Sequence, residues 1–175
     1  TFADALTGLN QCGINGAVVF NINAGTYSNQ LILGEVFGSS AANTITFKAA
    51  NNDSTSVIMN YNASTSTDNW IIKLNGGDDY IFKNLCFAPA NSSYSNAIVF
   101  ANAATNNEIS GCLFNGNSGT SNDLASVRIE DITSVNNRII GNRFNSGSMS
   151  VMCKGISTTS LLCNITVKNN ILNNF

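Results

Sequence analysis

The most regular feature of the chain is a set of short segments in which apolar and polar residues alternate. Four of them align with one another, and each ends on one large apolar residue, which is Phe87, Phe114, Phe144 or Leu172. The steps between these residues are 27, 30 and 28 positions. Such alternation predicts half-buried β-strands. The segments are YIFKNLCF (80–87), NEISGCLF (107–114), NRIIGNRF (137–144) and ITVKNNIL (165–172).

A second set of strand-like segments lies between the first, joined to it by connections rich in Gly, Asn and Ser. Each unit of 27 to 30 residues therefore holds at least two short strands and could not bury its apolar face alone. Stacking the units solves this, because Ile then lies over Ile, Phe over Phe, and Asn over Asn in a hydrogen-bonded ladder. The sequence predicts an all-β parallel β-helix. The second set is NWIIKLNG (69–76), NAIVFAN (96–102), SVRIED (126–131) and MSVMCKGI (149–156).

The two ends of the chain carry different patterns. Residues 1–12 predict a short amphipathic helix, with Thr1 as N-cap and Asp4 in the first turn, that covers the lowest coil. Residues 13–175 then form the coils of a single domain spanning 1–175. The last segment, VKNNILNNF, stops within a repeat and shows no cap. We expect that the polypeptide continues there or that another molecule covers this end, which makes self-association a candidate partnership.

Composition supports strands and narrows the partners. Apolar residues make up 43% of the chain and charged residues 10%, while Asn occurs 30 times. Long helices usually need more Glu, Lys and Arg, so this balance favours strands and turns. The net charge is −2 without a basic cluster, which argues against nucleic acid as a partner. No apolar run approaches the length of a membrane span, so we expect no membrane insertion.

The five cysteines do not form a metal-binding pattern. The chain has no Cys-x-x-Cys and no His, so a zinc site is not expected, and we predict no cofactor. Cys86 and Cys112 fit small buried apolar positions. A disulfide between Cys153 and Cys163 is an alternative that spacing alone cannot decide.

The N-terminal coils carry a family resemblance. GINGAVVFNINAGTYSNQLIL (13–33), then GSSAANTITFKA (38–49) and STSVIM (54–59), resemble the start of right-handed parallel β-helix domains of the pectin-lyase-like superfamily. More narrowly, they are similar to large secreted surface proteins of the Bacteroidetes, which carry type IX secretion sorting domains. LNGGDDY (74–80) and the four aligned segments continue the likeness. The resemblance implies a right-handed β-helix and a secreted or cell-surface location, but no single activity.

A catalytic site is only weakly indicated. SVRIED places Arg128 and Glu130 on the same face of one strand, where a polysaccharide lyase would want a basic residue near carboxylates. The alternative is a surface ion pair. Polygalacturonases of this fold typically use a His motif, and this chain has no His.

Two further groups of residues are candidates for binding. Asp78 and Asp79 occupy a Gly-rich turn, which fits either a solvated turn or a weak calcium site. Trp70, Tyr80 and Tyr94 could stack on sugars or pack at coil edges, as could Tyr27 and Tyr61.

Together these patterns favour a non-catalytic extracellular β-helix that acts as a stalk, an adhesin or a self-assembling, fibre-forming structural protein. A polysaccharide-active enzyme of the pectin-lyase-like class and a carbohydrate-binding module are the alternatives.

Overall fold

The computed structural model describes residues 1–154 and 164–173. It contains one α-helix, α1, and 17 strands, with short 3₁₀ helices at Ser66–Asp68 and Asn122–Leu124. The elements are α1 (Phe2–Cys12), β1 (Val18–Ile22), β2 (Gly25–Tyr27), β3 (Leu31–Leu33), β4 (Ile45–Ala49), β5 (Val57–Met59), β6 (Ile72–Asn75), β7 (Tyr80–Lys83), β8 (Cys86–Phe87), β9 (Ile98–Ala101), β10 (Glu108–Ser110), β11 (Leu113–Asn115), β12 (Ala125–Ile129), β13 (Arg138–Ile140), β14 (Arg143–Ser146), β15 (Met149–Cys153), β16 (Thr166–Lys168) and β17 (Ile171–Leu172).

The strands form three parallel sheets, because every third strand pairs with the one a coil below it. Sheet 1 has the order β1-β4-β7-β10-β13-β16, sheet 2 the order β2-β5-β8-β11-β14-β17, and sheet 3 the order β3-β6-β9-β12-β15. This is a parallel β-solenoid, so the predicted fold class is confirmed. No helix in the described part of the chain is long and apolar enough to cross a membrane.

The aligned segments stack as the repeat predicted. Phe87, Phe114, Phe144 and Leu172 are direct register partners in sheet 2. The ring of Phe114 stacks on Phe87 with centroids 5.1 Å apart and on Phe144 at 4.6 Å. All three Phe side chains are fully buried. This column runs through the interior of the solenoid, and burial of each ring stabilises the coil that carries it.

The turn between sheets 1 and 2 shows why Asn and Gly recur. One residue per turn has a left-handed backbone, with φ between 54° and 66°, a conformation that Asn and Gly adopt most readily. The following position forms the interior ladder, in which the backbone N–H of Asn142 donates to Asn170 Oδ1 at 2.8 Å. The predicted Asn ladder is therefore present. The left-handed residues are Asn84, Gly111, Gly141 and Asn169.

The N-terminal helix covers the first coil, as predicted. The Thr1 side chain and Asp4 form a reciprocal capping box, and the helix ends at Gly13, whose φ is 62°. Phe2 and Leu9 are the residues of this helix that are buried against the first coil. The Phe2 ring lies 6.1 Å from the ring of Phe47. The helix thus closes this end of the core.

The last described coil presents a different end. Val167 and Leu172 continue the interior columns of Ile139 and Phe144, yet they are 52% and 59% exposed. An opening of about 330 Å³ lies beside them. Among the described residues, nothing covers these two side chains as α1 covers Phe2.

The cysteines fit their predicted roles where the structure describes them. Cys86 and Cys112 are buried, and burial raises the pKa of the Cys112 thiol to about 12. Both behave as small apolar residues. Cys153 lies at the end of β15, and its candidate disulfide partner, Cys163, falls outside the described residues.

Candidate functional site on the outer face of sheet 3

Arg128 is the centre of the largest charged cluster among the described residues. Its neighbours in β12, Val127 and Ile129, point into the core, so Arg128 lies on the outer face of sheet 3. Arg128 Nε is 3.3 Å from Glu130 Oε1, and Nη1 is 3.6 Å from Asp123 Oδ1. The structure therefore brings the predicted pair, Arg128 and Glu130, into contact.

Two further residues complete this cluster and were not singled out from the sequence. Asn96 Oδ1 accepts a 3.4 Å hydrogen bond from Arg128 Nη1. Asn96 is held in place because its Nδ2 donates to Asn122 O and Ala125 O. Asp123 lies in the 3₁₀ helix that precedes β12, capped by the side chain of Ser121. No local motif indicates that Asn96 and Asp123 lie beside Arg128, because Asn96 comes from the coil below and Asp123 from a 3₁₀ helix.

Trp70 and Lys73 lie on the same side of the solenoid as Arg128, two coils below it. Lys73 Nζ lies 4.7 Å from the centre of the Trp70 ring, within cation–π range. Lys73 and Arg128 occupy the same outward column, with Val99 between them. The backbones of Lys73 and Arg128 are therefore two strand spacings, or about 10 Å, apart. The face thus presents a half-buried aromatic ring beside one cation, Lys73, with Arg128 two strands away.

The charges of this cluster balance one another. The carboxylates of Asp123 and Glu130 both lie against the guanidinium of Arg128. Arg128 is only 19% exposed, and its Nε is inaccessible and has no aligned hydrogen-bond acceptor despite the short distance to Glu130. Trp70 Nε1 is likewise buried without a partner. A guanidinium held between two carboxylates fits a structural ion pair better than proton transfer, which needs an acid or base free to change its state.

Tyr80 does not belong to a binding surface. It is 1% exposed, its hydroxyl donates to Gly34 O at 3.0 Å, and burial raises its pKa to about 12. Its ring stacks in the core beside Phe47 and Phe82. The expectation that Tyr80 could stack on a sugar is corrected, since inward register leaves no ring face open. Trp70 and Tyr94 are half-buried, and their sugar stacking stays a prediction.

The two neighbouring aspartates do different things. Asp78 Oδ1 accepts a 2.6 Å hydrogen bond from the backbone N–H of Thr105, one coil above. Asp79 has a left-handed backbone, with φ of 62°, and is 6% exposed. It lines a groove on sheet 1 instead. Burial and the charge of Asp78 together raise the pKa of Asp79. A calcium site at Asp78 and Asp79 stays a prediction.

The structure shows a parallel β-solenoid, and a fold alone does not indicate an activity. Comparisons with protein-family models, curated proteins and solved structures find no match for this chain.

Proposed function

We propose that this chain is a non-catalytic structural module of a secreted or cell-surface protein, built as a rigid stalk or adhesive spacer. Its coil stack is extended by a further parallel coil laid on β15, β16 and β17. The observation that carries this proposal is the half-exposed pair Val167 and Leu172, which stand in register with fully buried core residues. Covering such side chains removes apolar surface from water and stabilises the stack.

Polar groups at the same end support the proposal. Asn170 Oδ1 accepts from both the backbone N–H and the side-chain amide of Asn142, at 2.8 and 3.1 Å. Asn142 serves the coil below it in the same way, by accepting from Cys112 N. A further coil with Asn at this corner would complete the same pattern on the backbone N–H of Asn170. The end is thus suited to a coil of the same design rather than to an unrelated surface.

At the other end of the solenoid, α1 covers the first coil, so further coils can be added only at the β15–β17 end. Phe2 and Leu9 of α1 fill the space below the first coil, so a second molecule cannot lay its coils there while the helix is in place. Head-to-tail fibres would require displacement of α1. A further coil at the β15–β17 end requires no such change.

Sedimentation velocity over a range of protein concentrations tests the open end. Because α1 covers the first coil, two copies can meet only through their open ends, so we expect a concentration-dependent dimer rather than a longer oligomer. Val167→Asp should abolish this dimer, because a charge in the interior column cannot be buried against another coil. Val19→Asp is the matched control, since Val19 is equally exposed but faces outward in β1. Equal association of both variants would contradict the proposal.

A second candidate function is binding of an acidic polysaccharide on sheet 3, which the contact of Lys73 with the half-buried Trp70 ring favours, with Arg128 farther along the same face. Affinity electrophoresis in gels containing pectate tests it, with release of unsaturated products measured in the same samples. Arg128→Gln should weaken retardation, whereas Arg143→Gln on sheet 2 should not. Product release that Arg128→Gln removes would replace the non-catalytic proposal with a lyase.

A further inference from the structure

Three Asn-Gly pairs occur in the chain, at Asn15-Gly16, Asn75-Gly76 and Asn115-Gly116. In such a pair the backbone nitrogen of Gly can attack the side-chain amide of the preceding Asn, because Gly has no side chain to crowd the approach. Asn is for this reason among the thermolabile residues of proteins. The attack needs a mobile Asn side chain and a mobile peptide after it, so the local structure decides which pair reacts.

The Asn75-Gly76 pair is restrained at both reacting groups. Asn75 is the last residue of β6, and its Oδ1 accepts a hydrogen bond from Asn102 Nδ2 in the coil above. The backbone N–H of Gly76 donates to Ala101 O at 2.9 Å. Both hydrogen bonds must break before the nitrogen of Gly76 can reach the amide of Asn75.

The Asn115-Gly116 pair is restrained by hydrogen bonds and by packing. Asn115 Oδ1 accepts from Asn145 Nδ2 at 2.8 Å, and Asn115 Nδ2 donates to Cys86 Sγ at 3.4 Å. A Cβ at Gly116 would lie 2.6 Å from Ser146 O, so the main chain here is packed closely against the coil above. Neither the side chain nor the following peptide is free to rotate.

The Asn15-Gly16 pair lacks these restraints. It lies in the linker between α1 and β1, and Asn15 is exposed. Within the described part of the chain, no atom lies within 4 Å of a Cβ at Gly16. The linker is instead fixed on either side of the pair, at Ile14 and Val18, whose backbone N–H groups donate to the loop between β3 and β4. The pair itself is thus the free part of the linker.

We propose that Asn15 is a modification site, where the folded protein loses a side-chain amide by spontaneous deamidation. The backbone nitrogen of Gly16 attacks Cγ of Asn15, and the new C–N bond closes a succinimide ring. The bond from Cγ to the side-chain nitrogen breaks, and ammonia leaves with the proton of the Gly16 amide. Water then opens the ring at either carbonyl, which gives aspartate or isoaspartate.

The modification changes the connection between the N-terminal cap and the first coil. Both products add a negative charge to the linker, and isoaspartate also lengthens the main chain by one carbon atom. This inference is independent of the proposed function, because the linker lies at the end covered by α1 rather than at the open end.

Peptide mapping by mass spectrometry, after incubation of the folded protein in mildly alkaline buffer, tests the site. We expect deamidation at Asn15 to be at least about tenfold faster than at Asn75 or Asn115, whose hydrogen bonds must break first. Aspartate and isoaspartate should both appear at position 15. Gly16→Ala should slow the reaction at Asn15, because its methyl group crowds the attacking nitrogen, and the open space at this position lets the variant fold.

The same protein unfolded in urea is the matched control. Without the fold, the three pairs share the same Asn-Gly chemistry, so they should react at similar rates. Three results would overturn the proposal. They are a rate at Asn15 no higher than at the other two pairs in the folded protein, a preference for Asn15 of the same size in urea, or an unchanged rate in Gly16→Ala.

Discussion

Asn142 Oδ1 accepts a hydrogen bond of 2.9 Å from the backbone N–H of Cys112, one coil below it. The same side chain donates through Nδ2 to Ile109 O at 2.9 Å. One amide thus satisfies a buried donor and a buried acceptor at the corner where β10 ends and β11 begins. Cys112 lies between β10 and β11, outside both strands, so its buried N–H depends on the Asn142 side chain for a partner, and the ladder allows this turn to be buried.

Asn142→Ala should therefore be strongly destabilising. It leaves the buried Cys112 N–H without a partner and removes one acceptor contact from Ile109 C=O, which we expect to lower the free energy of unfolding by about 2–3 kcal/mol. Asn145→Ala is the control, because Asn145 makes a similar 2.8 Å contact with Asn115 Oδ1 on the exposed face. Urea denaturation should show a loss of under about 1 kcal/mol for the control. Equal losses would mean that the interior ladder has no special role.

Substitution in the column of Phe87, Phe114 and Phe144 should also lower the free energy of unfolding strongly. Phe114 is fully buried between Phe87 and Phe144, so Phe114→Ala removes two stacking contacts and leaves a cavity. We expect a loss of about 3–5 kcal/mol in the free energy of unfolding, and a smaller loss for Phe114→Leu. Phe37→Ala, at a residue that is 88% exposed, should change stability by less than about 0.5 kcal/mol. A Phe114→Ala variant with a free energy of unfolding close to that of wild type would contradict the stacked core.

The left-handed backbone at Gly141, in the turn between sheets 1 and 2, limits which residues this position can accept. Gly141 has φ of 66° and open space around a Cβ, so backbone strain rather than a clash decides what it tolerates. Gly141→Asn should be nearly neutral, whereas Gly141→Val should cost about 2 kcal/mol. Gly16→Val tests the effect of the side chain alone, because Gly16 also has open space but lacks a left-handed φ. Thermal denaturation of the three variants measures the difference, and equal costs for the two Val variants would exclude strain as the cause.

Acid should weaken one connection between sheets 3 and 1. Burial opposes the ionisation of Asp131, but hydrogen bonds from Thr133 and Ser134 outweigh it, and the net pKa is lowered below 3.8. A carboxyl whose pKa is depressed on folding contributes stability above its unfolded pKa, which is lost as pH falls through the folded pKa. Ser134 Oγ in turn accepts from the buried N–H of Ala104.

Asp131→Asn should accordingly be less stable than wild type at pH 7, and the gap should narrow between pH 4 and pH 2 (about the range below the ordinary Asp value). Chemical denaturation at several pH values measures this gap. A gap that stays constant down to pH 2 would assign the effect of the substitution to something other than the charge.

Much of the fold could be predicted because each coil must place apolar residues of matching size over those of the coil below. Phe114 and Phe144 must match in size and position to stack, so spacing along the chain revealed their contact. The helix at residues 1–12 was equally visible in its capping box of Thr1 and Asp4. For Tyr80 the sequence left packing and sugar stacking open, because its local pattern, after a Gly-rich turn, does not show that the first residue of β7 already faces inward.

The candidate sites were harder to predict, because their residues come from loops of unequal length. Arg128 and Glu130 are two positions apart in one strand, and their contact could be inferred. Asp123 and Asn96 reach Arg128 through a 3₁₀ helix and a preceding loop, whose paths no repeat specifies.

The measurement that tests the central claim most directly is amide hydrogen exchange at the open end. Residues 116–145 repeated directly after Asn173 would supply one further coil in the register that Phe114 and Phe144 define. We predict that exchange of the amides of β16 and β17 then slows at least tenfold, while that of β4 and β7 is unchanged. Unchanged exchange in β16 and β17 would contradict the claim that this end is made to receive another coil.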